Sequence, residues 1–387
     1  MITVCTPGRP SIKSRTCGVC LAGRRPYDLV MPGATSASVD DGIARVAGQG
    51  LPARELFAEV SRRVRRVVPY AAAGWLSTDP ATMLFTDVYG ENLAGAANLR
   101  LFENELTAPD FAKFADLVRA RRAAQVLTEA TGGEPELSAR HRTIHRPLGL
   151  RSELRAVFAT GGTCWGAVCL ARAEGEPDFT AADATFLASI AHHVTHGLRT
   201  ALLMTAAETP AEQAPGMVIL GDGDHIESAT PEAERWLAEL GGGADELPLP
   251  SPVVSVAMRA RAMAEGADTL PRARVRSPGG QWLLLHASML HGGPRDGVAV
   301  MIEPARRVEI ASILVEAHGL TERERQVTAL LTRGLSTEEI AQTLWVSRHT
   351  VRDHVKAVFT KLGVKSRPEL TAKLFAEHFL PNFDTDA

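Results

Sequence analysis

Three groups of side chains in this 387-residue sequence have types and spacings that could do chemistry. Cys17 and Cys20 form a C-x-x-C pair, the spacing of half a zinc site or of a redox couple. No second pair at metal spacing accompanies it in the sequence, so it is read as neither. His141 and His145, and separately His192 and His196, stand four residues apart, which on a helix puts each pair on one face, as metal ligands require. No acid or cysteine ligand lies close to either pair in sequence, so both are read as surface or interdomain histidines. Cys164 and Cys169 stand outside these groups: they fall in strand-like apolar runs and are read as small buried residues rather than nucleophiles. No catalytic residue, metal site or cofactor is therefore expected. The third group is cationic. From Ser347 to Arg367 the chain carries Arg348, Arg352, Lys356, Lys361, Lys365 and Arg367 against one acid, Asp353.

Such a density of positive charge suits a polyanion, and its location matters because the whole chain has a formal net charge of −3. A uniformly basic nucleic-acid coat is excluded, so any polyanion site must be local. On a helix capped by Ser347, the residues Val351, Val355, Val358, Phe359 and Leu362 fall on one apolar stripe. His349, Asp353, Lys356 and Thr360 point the other way, with Arg352 on the flank. A shorter helix from Ser336 precedes it across the brief turn Trp345-Val346. Two short helices, a tight turn and a cationic second helix match a helix-turn-helix, whose second helix enters a DNA major groove about 12 Å wide. Lysine and arginine at the rim then neutralise phosphates.

The elements around this segment carry clear start and stop signals. Thr321 with Glu324, Ser336 with Glu339, and Ser366 with Glu369 each have capping-box spacing. Gly334 and Gly363 stand where helices should stop. Further upstream, residues 1–50 are rich in Gly, Ser, Pro and Arg and read as a disordered tail. Residues 51–204 alternate helix and strand patterns, including a hairpin at Gly161-Gly162 and a long helix with Thr180 and Asp183 at its start. Residues 205–215 read as a linker, 216–305 as a smaller α+β unit, 306–318 as a connecting helix, and 319–380 as an all-α domain of four helices. No run is apolar and long enough for a membrane span or a signal peptide, so a cytoplasmic location is expected. No phosphate-loop motif is present, nor the acidic pattern of a phosphoacceptor receiver.

The stretch LTERERQVTALLTRGLSTEEIAQTLWVSRHTVRDHVKAVFTKLGVKSRPEL resembles the C-terminal DNA-binding domain of LuxR-type transcriptional regulators, over roughly a sixth of the chain. That resemblance implies that Glu324 packs or caps the first helix, that Thr350, Arg352, Asp353 and Lys356 lie at the DNA, and that the helix from Ser366 serves in dimerisation. Together with the helix-turn-helix reading, the expected DNA-binding set is Ser347, Arg348, His349, Thr350, Arg352, Asp353, Lys356, Thr360, Lys365 and Arg367. Position 345 departs from the usual helix-turn-helix pattern, carrying Trp where a small residue is common. Residues 51–204 resemble a GAF-type sensor domain, through AAAGWLSTDPATMLFTD and ELRAVFATGGTCWGAVCLARAEGEPDFTAAD. Residues 216–305 are similar to a degenerate PAS domain. The expected fold class is multidomain α+β ending in an all-α helix-turn-helix domain. The expected function is sequence-specific regulation of transcription as a bacterial homodimer on promoter DNA. RNA polymerase and an unidentified small-molecule effector are further candidate partners. The competing reading is a metal-binding or enzymatic GAF-like protein that uses the helix-turn-helix as an interaction module.

Overall fold

The computed structural model describes residues 36–93, 95–204, 214–241, 249–291, 297–306, 309–310, 313 and 316–378. Its first sheet is antiparallel and five-stranded, built from β1 (Ala72–Thr78), β2 (Phe85–Glu91), β3 (Ala124–Val126), β4 (Leu150–Thr160) and β5 (Thr163–Ala173), in the order β2-β1-β5-β4-β3. The β4–β5 hairpin closes on a two-residue loop, with Thr160 opposite Thr163. Gly161 and Gly162 take φ of 60° and 87°, the positive values that such a turn needs and that glycine adopts without strain. Both faces of the sheet are covered. On one lie α1 (Ser36–Ala47), α2 (Ala53–Val64) and α6 (Ala181–Met204), packed over Trp75, Leu154, Phe158, Val168 and Leu170. Trp75 stacks on Phe158 with ring centroids 6.0 Å apart. On the other lie α3 (Gly95–Thr107) and α4 (Phe114–Arg119), whose Phe102, Leu106, Phe114 and Leu117 meet Leu76, Phe85 and Val88. The short α5 (Leu127–Ala130) follows β3. Double coverage explains why β5 reads as a nearly continuous apolar run instead of an alternating one.

The second sheet repeats this plan. It contains β6 (Gly216–Leu220), β7 (Ile226–Ala229), β8 (Arg272–Arg276), β9 (Trp282–Leu290) and β10 (Gly297–Pro304), in the order β7-β6-β10-β9-β8. Counted within each sheet, both run second-first-fifth-fourth-third. Helix α7 (Pro231–Leu240) starts at Thr230, whose hydroxyl accepts from Ala233 N–H, with Pro231 at the first helical position. Helix α8 (Ser251–Ala264) packs on the second sheet and also meets α3 and β2, so one apolar cluster spans both sheets. A buried ion pair joins the same two parts. Arg274 of β8 grips Asp79, with Nη2 at 2.8 Å from Oδ1 and Nε at 3.0 Å from Oδ2. Arg274 also donates to the Glu309 carbonyl at 3.0 Å, and Arg272 pairs with the Glu309 carboxylate at 2.7 Å.

One expectation changes here. The tail expected over residues 1–50 does not extend that far. Val39, Ile43 and Val46 of α1 are buried against the first sheet's helical layer, an amphipathic pattern hidden by the surrounding Gly and Ser. Over residues 110–123 the helix is confined to α4, because Ala112 and Arg121 take positive φ at its two ends. Cys17, Cys20 and most of the linker 205–215 lie outside the described residues. Among the described residues, no helix is long and apolar enough to cross a membrane.

Candidate nucleic-acid interface

Four helices form the C-terminal domain: α9 (Glu322–Thr332), α10 (Thr337–Leu344), α11 (Arg348–Leu362) and α12 (Arg367–His378). The first two begin with complete capping boxes. Thr321 N–H donates to Glu324 at 2.6 Å and Glu324 N–H to the Thr321 hydroxyl at 3.3 Å, with the same exchange at Ser336 and Glu339. Ser347 caps α11 by accepting from Thr350 N–H at 3.1 Å. The third expected box is only half made. Glu369 N–H reaches Ser366, but the Glu369 carboxylate turns to Lys365 N–H at 2.8 Å.

The ends of α9, α10 and α11 share one device, a left-handed residue followed by a hydrogen bond back into the last turn. Gly334 (φ 95°) and Gly363 (φ 65°) supply it at no steric cost. After α10 the same position is Trp345, at φ 54° and ψ 47°, with Val346 N–H returning to the Ala341 carbonyl at 3.1 Å. A residue with a Cβ pays roughly 1–2 kcal/mol for that conformation. Its indole is 93% exposed, so apolar burial does not offset the strain.

The core face of α11 consists of Val351, Val358 and Leu362, all buried. Val355 and Phe359, expected in the middle of the stripe, are half-buried at its edge. They line a shallow groove with Arg352, Lys356, Thr360, Lys365 and Thr337. Thr337 opens α10, where free N–H groups and the helix dipole favour an anion. Sequence reasoning omitted it; the signal was its place directly after the cap Ser336.

The cations divide into two groups that the sequence does not separate. Arg352 and Lys356 are exposed on α11, and Lys365 is exposed just past its end; among the described residues none of these side chains forms an ion pair. By contrast, Lys361 Nζ sits 2.6 Å from the Glu324 carboxylate and 3.1 Å from the Gly319 carbonyl, locking α11 to α9. Burial pushes the Glu324 carboxyl up, but Lys361 and the Thr321 N–H outweigh it and hold the group below its ordinary range. Arg367 likewise turns inward, donating to the Leu331 and Leu335 carbonyls at 2.8 and 2.6 Å. Arg348 is exposed and pairs with Glu338 at 2.6 Å. His349 and Asp353 face each other at 3.6 Å on the exposed side, so the partner of Asp353 is His349 and not Lys356. Thr360 is exposed and Thr350 half-buried. Leu370, on the helix expected to serve in dimerisation, is buried inside the four-helix core; the side chains of Leu374 and Phe375 on the same helix lie outside the described residues.

The residues set aside as non-functional separate too. His192 and His196 are exposed on α6. Cys164 is buried, which pushes its thiol up to about 11 and leaves it unreactive. His141 and His145, however, are buried rather than on a surface, because they lie on a π-helical turn packed beneath β4.

Residues 318–374 match the model of the luxR family of bacterial regulatory proteins. A putative HTH-type transcriptional regulator from Aeromonas salmonicida is 45% identical over 73 residues, 19% of this chain and 37% of that protein. The spore germination protein GerE of Bacillus subtilis is 46% identical over 55 residues, 14% of this chain and 74% of that protein. The chain thus spans about a third of the first relative and most of the second. Among solved structures, the GAF domain/HD domain protein of Geobacter sulfurreducens aligns at 18% identity over 40% of this chain and 98% of its own, with a TM-score of 0.31. The Vibrio cholerae VqmA–ligand–DNA complex aligns at 17% identity over 43% of this chain and 84% of its own, with a TM-score of 0.24.

Proposed function

The chain belongs to the luxR family of bacterial regulatory proteins, and on that premise we propose that it is a sequence-specific DNA-binding regulator of transcription. In this reading α11 enters the major groove, with Thr350, Arg352, Asp353 and Lys356 toward base edges and phosphates. Thr337, Thr360 and Lys365 hold the flanking backbone. Ser347, Arg348 and His349 sit at the leading end of the helix. Arg367 and Lys361 act inside the domain, orienting α11 rather than touching DNA. The single observation that carries the reading is the division of cations: those with structural work turn inward, and the unpaired ones share one exposed groove with a helix N-terminus.

The α+β part serves as a sensor region, GAF-like over residues 51–204 and PAS-like over 216–305; the repeated strand order supports treating the two as separate modules. The working form is a homodimer on an inverted repeat, since one small helix-turn-helix reads few base pairs. RNA polymerase and a small-molecule effector complete the proposed partners, and the proposed location is the cytoplasm, on the nucleoid when DNA-bound. The competing reading, a metal-binding or enzymatic GAF-like protein that uses the helix-turn-helix as an interaction module, gains nothing from the family match, which falls on the DNA-binding segment.

A gel-shift titration of the full chain on promoter DNA from genes beside its own tests the proposal. Saturable binding that weakens with salt and resists unrelated competitor DNA is expected. Equal displacement by any competitor would remove the sequence-specific claim.

A further inference from the structure

Beneath the first sheet lies a largely buried polar cluster that DNA binding does not use. Glu153 of β4 has no exposed surface, and Arg140 holds it through Nε at 3.0 Å and Nη2 at 2.9 Å. The Cys169 thiol of β5 donates to Glu153 Oε1 at 3.0 Å, and His145 Nδ1 stands 4.0 Å from Oε2. The sulfur, the imidazole nitrogen and the carboxylate oxygen all lie within 4.8 Å of one another. Tetrahedral bonds of about 2.0–2.3 Å to nitrogen, oxygen and sulfur require ligand separations of roughly 3.3–3.8 Å. Sub-ångström to ångström side-chain shifts therefore close this set around one ion.

A second feature points at the same place. Glu153, Cys169 and Arg155 line a cavity of about 30 Å³, which is room for one or two waters. Arg155 is 3% exposed and gives Nη2 to Glu105 at 2.7 Å, yet its Nε and Nη1 make no hydrogen bond. Buried donors without acceptors are costly and rare in native proteins. They suit an acceptor atom held in that cavity. The π-helical turn His141–His145 is itself an uncommon conformation, often found at functional sites.

We infer that His145, Glu153 and Cys169 bind one divalent first-row transition-metal ion, leaving a coordination position for a water or small anion hydrogen-bonded to Arg155. Three protein ligands with an open fourth position is the arrangement of a reactive or sensing metal rather than a structural one. Arg140 remains on the carboxylate, which offers about four lone-pair sites, and the metal takes the place that the thiol proton holds. Loading releases that proton to solvent and changes no oxidation state. The inference stands independently of DNA binding and gives the sensor region a chemical input. The spacing hid it in the sequence: β4–β5 register brings Glu153 and Cys169 together, and packing of the π-helical turn against β4 adds His145.

The test is a Co²⁺ titration of the chelator-stripped full chain, read by the thiolate-to-cobalt charge-transfer band and the visible bands of tetrahedral cobalt. One equivalent per chain is expected. The band should vanish in Cys169→Ala and in His145→Gln, and persist in Cys164→Ser and in the double variant Cys17→Ser/Cys20→Ser. Wild-type protein that binds no cobalt overturns the site whatever the variants do. So does a band that survives Cys169→Ala but disappears with Cys17 and Cys20. Circular dichroism of each variant separates loss of a ligand from loss of the fold.

Discussion

Lys356 and Lys361 lie five residues apart on α11 and are interchangeable to a sequence reader, yet the structure assigns them opposite work. Lys356 is exposed with no ion pair to a described residue, whereas Lys361 bonds Glu324 at 2.6 Å. Lys356→Ala should therefore cost one phosphate contact and leave stability unchanged. One contact contributes about 0.9 to the slope of log K against log salt. Between about 50 and 200 mM salt, the parent should then lose roughly 3.5-fold more affinity than the variant does. Lys361→Ala should do the reverse. It leaves a Glu324 carboxylate that is only 5% exposed without its cation. The cost is about 1–2 kcal/mol, below that of a fully buried pair because about a third of Lys361 faces water. The salt slope should not move. Fluorescence-anisotropy titrations of the full chain at several salt concentrations measure the first effect. Hydrogen exchange of α9 and α11 measures the second. If Lys361→Ala flattened the slope while Lys356→Ala did not, the division of cations that supports the interface would be wrong.

Four further outcomes follow from the same domain. Val358→Asp should unfold it and abolish DNA binding, because a carboxylate replaces a fully buried methyl pair at a cost of several kcal/mol; Val355→Asp, at the half-buried edge, should be milder, and equal damage in a urea melt would contradict the assigned core face. Trp345→Gly should stabilise the domain by about 1 kcal/mol through relief of the left-handed strain, seen as slower exchange in α10; a loss of stability would mean that the indole has a partner. Glu324 ionises below its ordinary value in the fold, so its contribution is present above its unfolded value of about 4.5 and is lost as pH falls through its lower folded one. An acid titration of stability should therefore be flatter for Glu324→Gln than for the parent. Asp353→Ala should leave non-specific DNA binding equal or tighter while discrimination at one base position falls by about 1–3 kcal/mol; an unchanged preference in a binding-site competition would remove Asp353 from base readout.

The C-terminal domain was legible because its signals are local. Caps, stop glycines and a period of 3.6 are written within sixty residues, and the structure keeps two of three capping boxes and both glycine ends. What stayed hidden depends on distance along the chain. Lys361 and Arg367 read as part of a cationic face because their partners, Glu324 and the carbonyls of Leu331 and Leu335, lie more than thirty residues away. Helix α8 carried no amphipathic period because ten of its residues are buried between two sheets, which erases the polar face that periodicity detects. The cluster of His145, Glu153 and Cys169 failed to register for the same reason: strand pairing and the packing of a separate turn, not spacing, assemble it.

The central claim is that the exposed groove of α11 reads a DNA sequence. Selection from a pool of randomised duplexes by the full chain, followed by competition titration of the selected site against random DNA at physiological salt, measures this most directly. A single recurring motif in two inverted halves is predicted, bound at least about 1,000-fold more tightly than random DNA. A pool that stays random through selection, with selected and unselected duplexes competing equally, would contradict it.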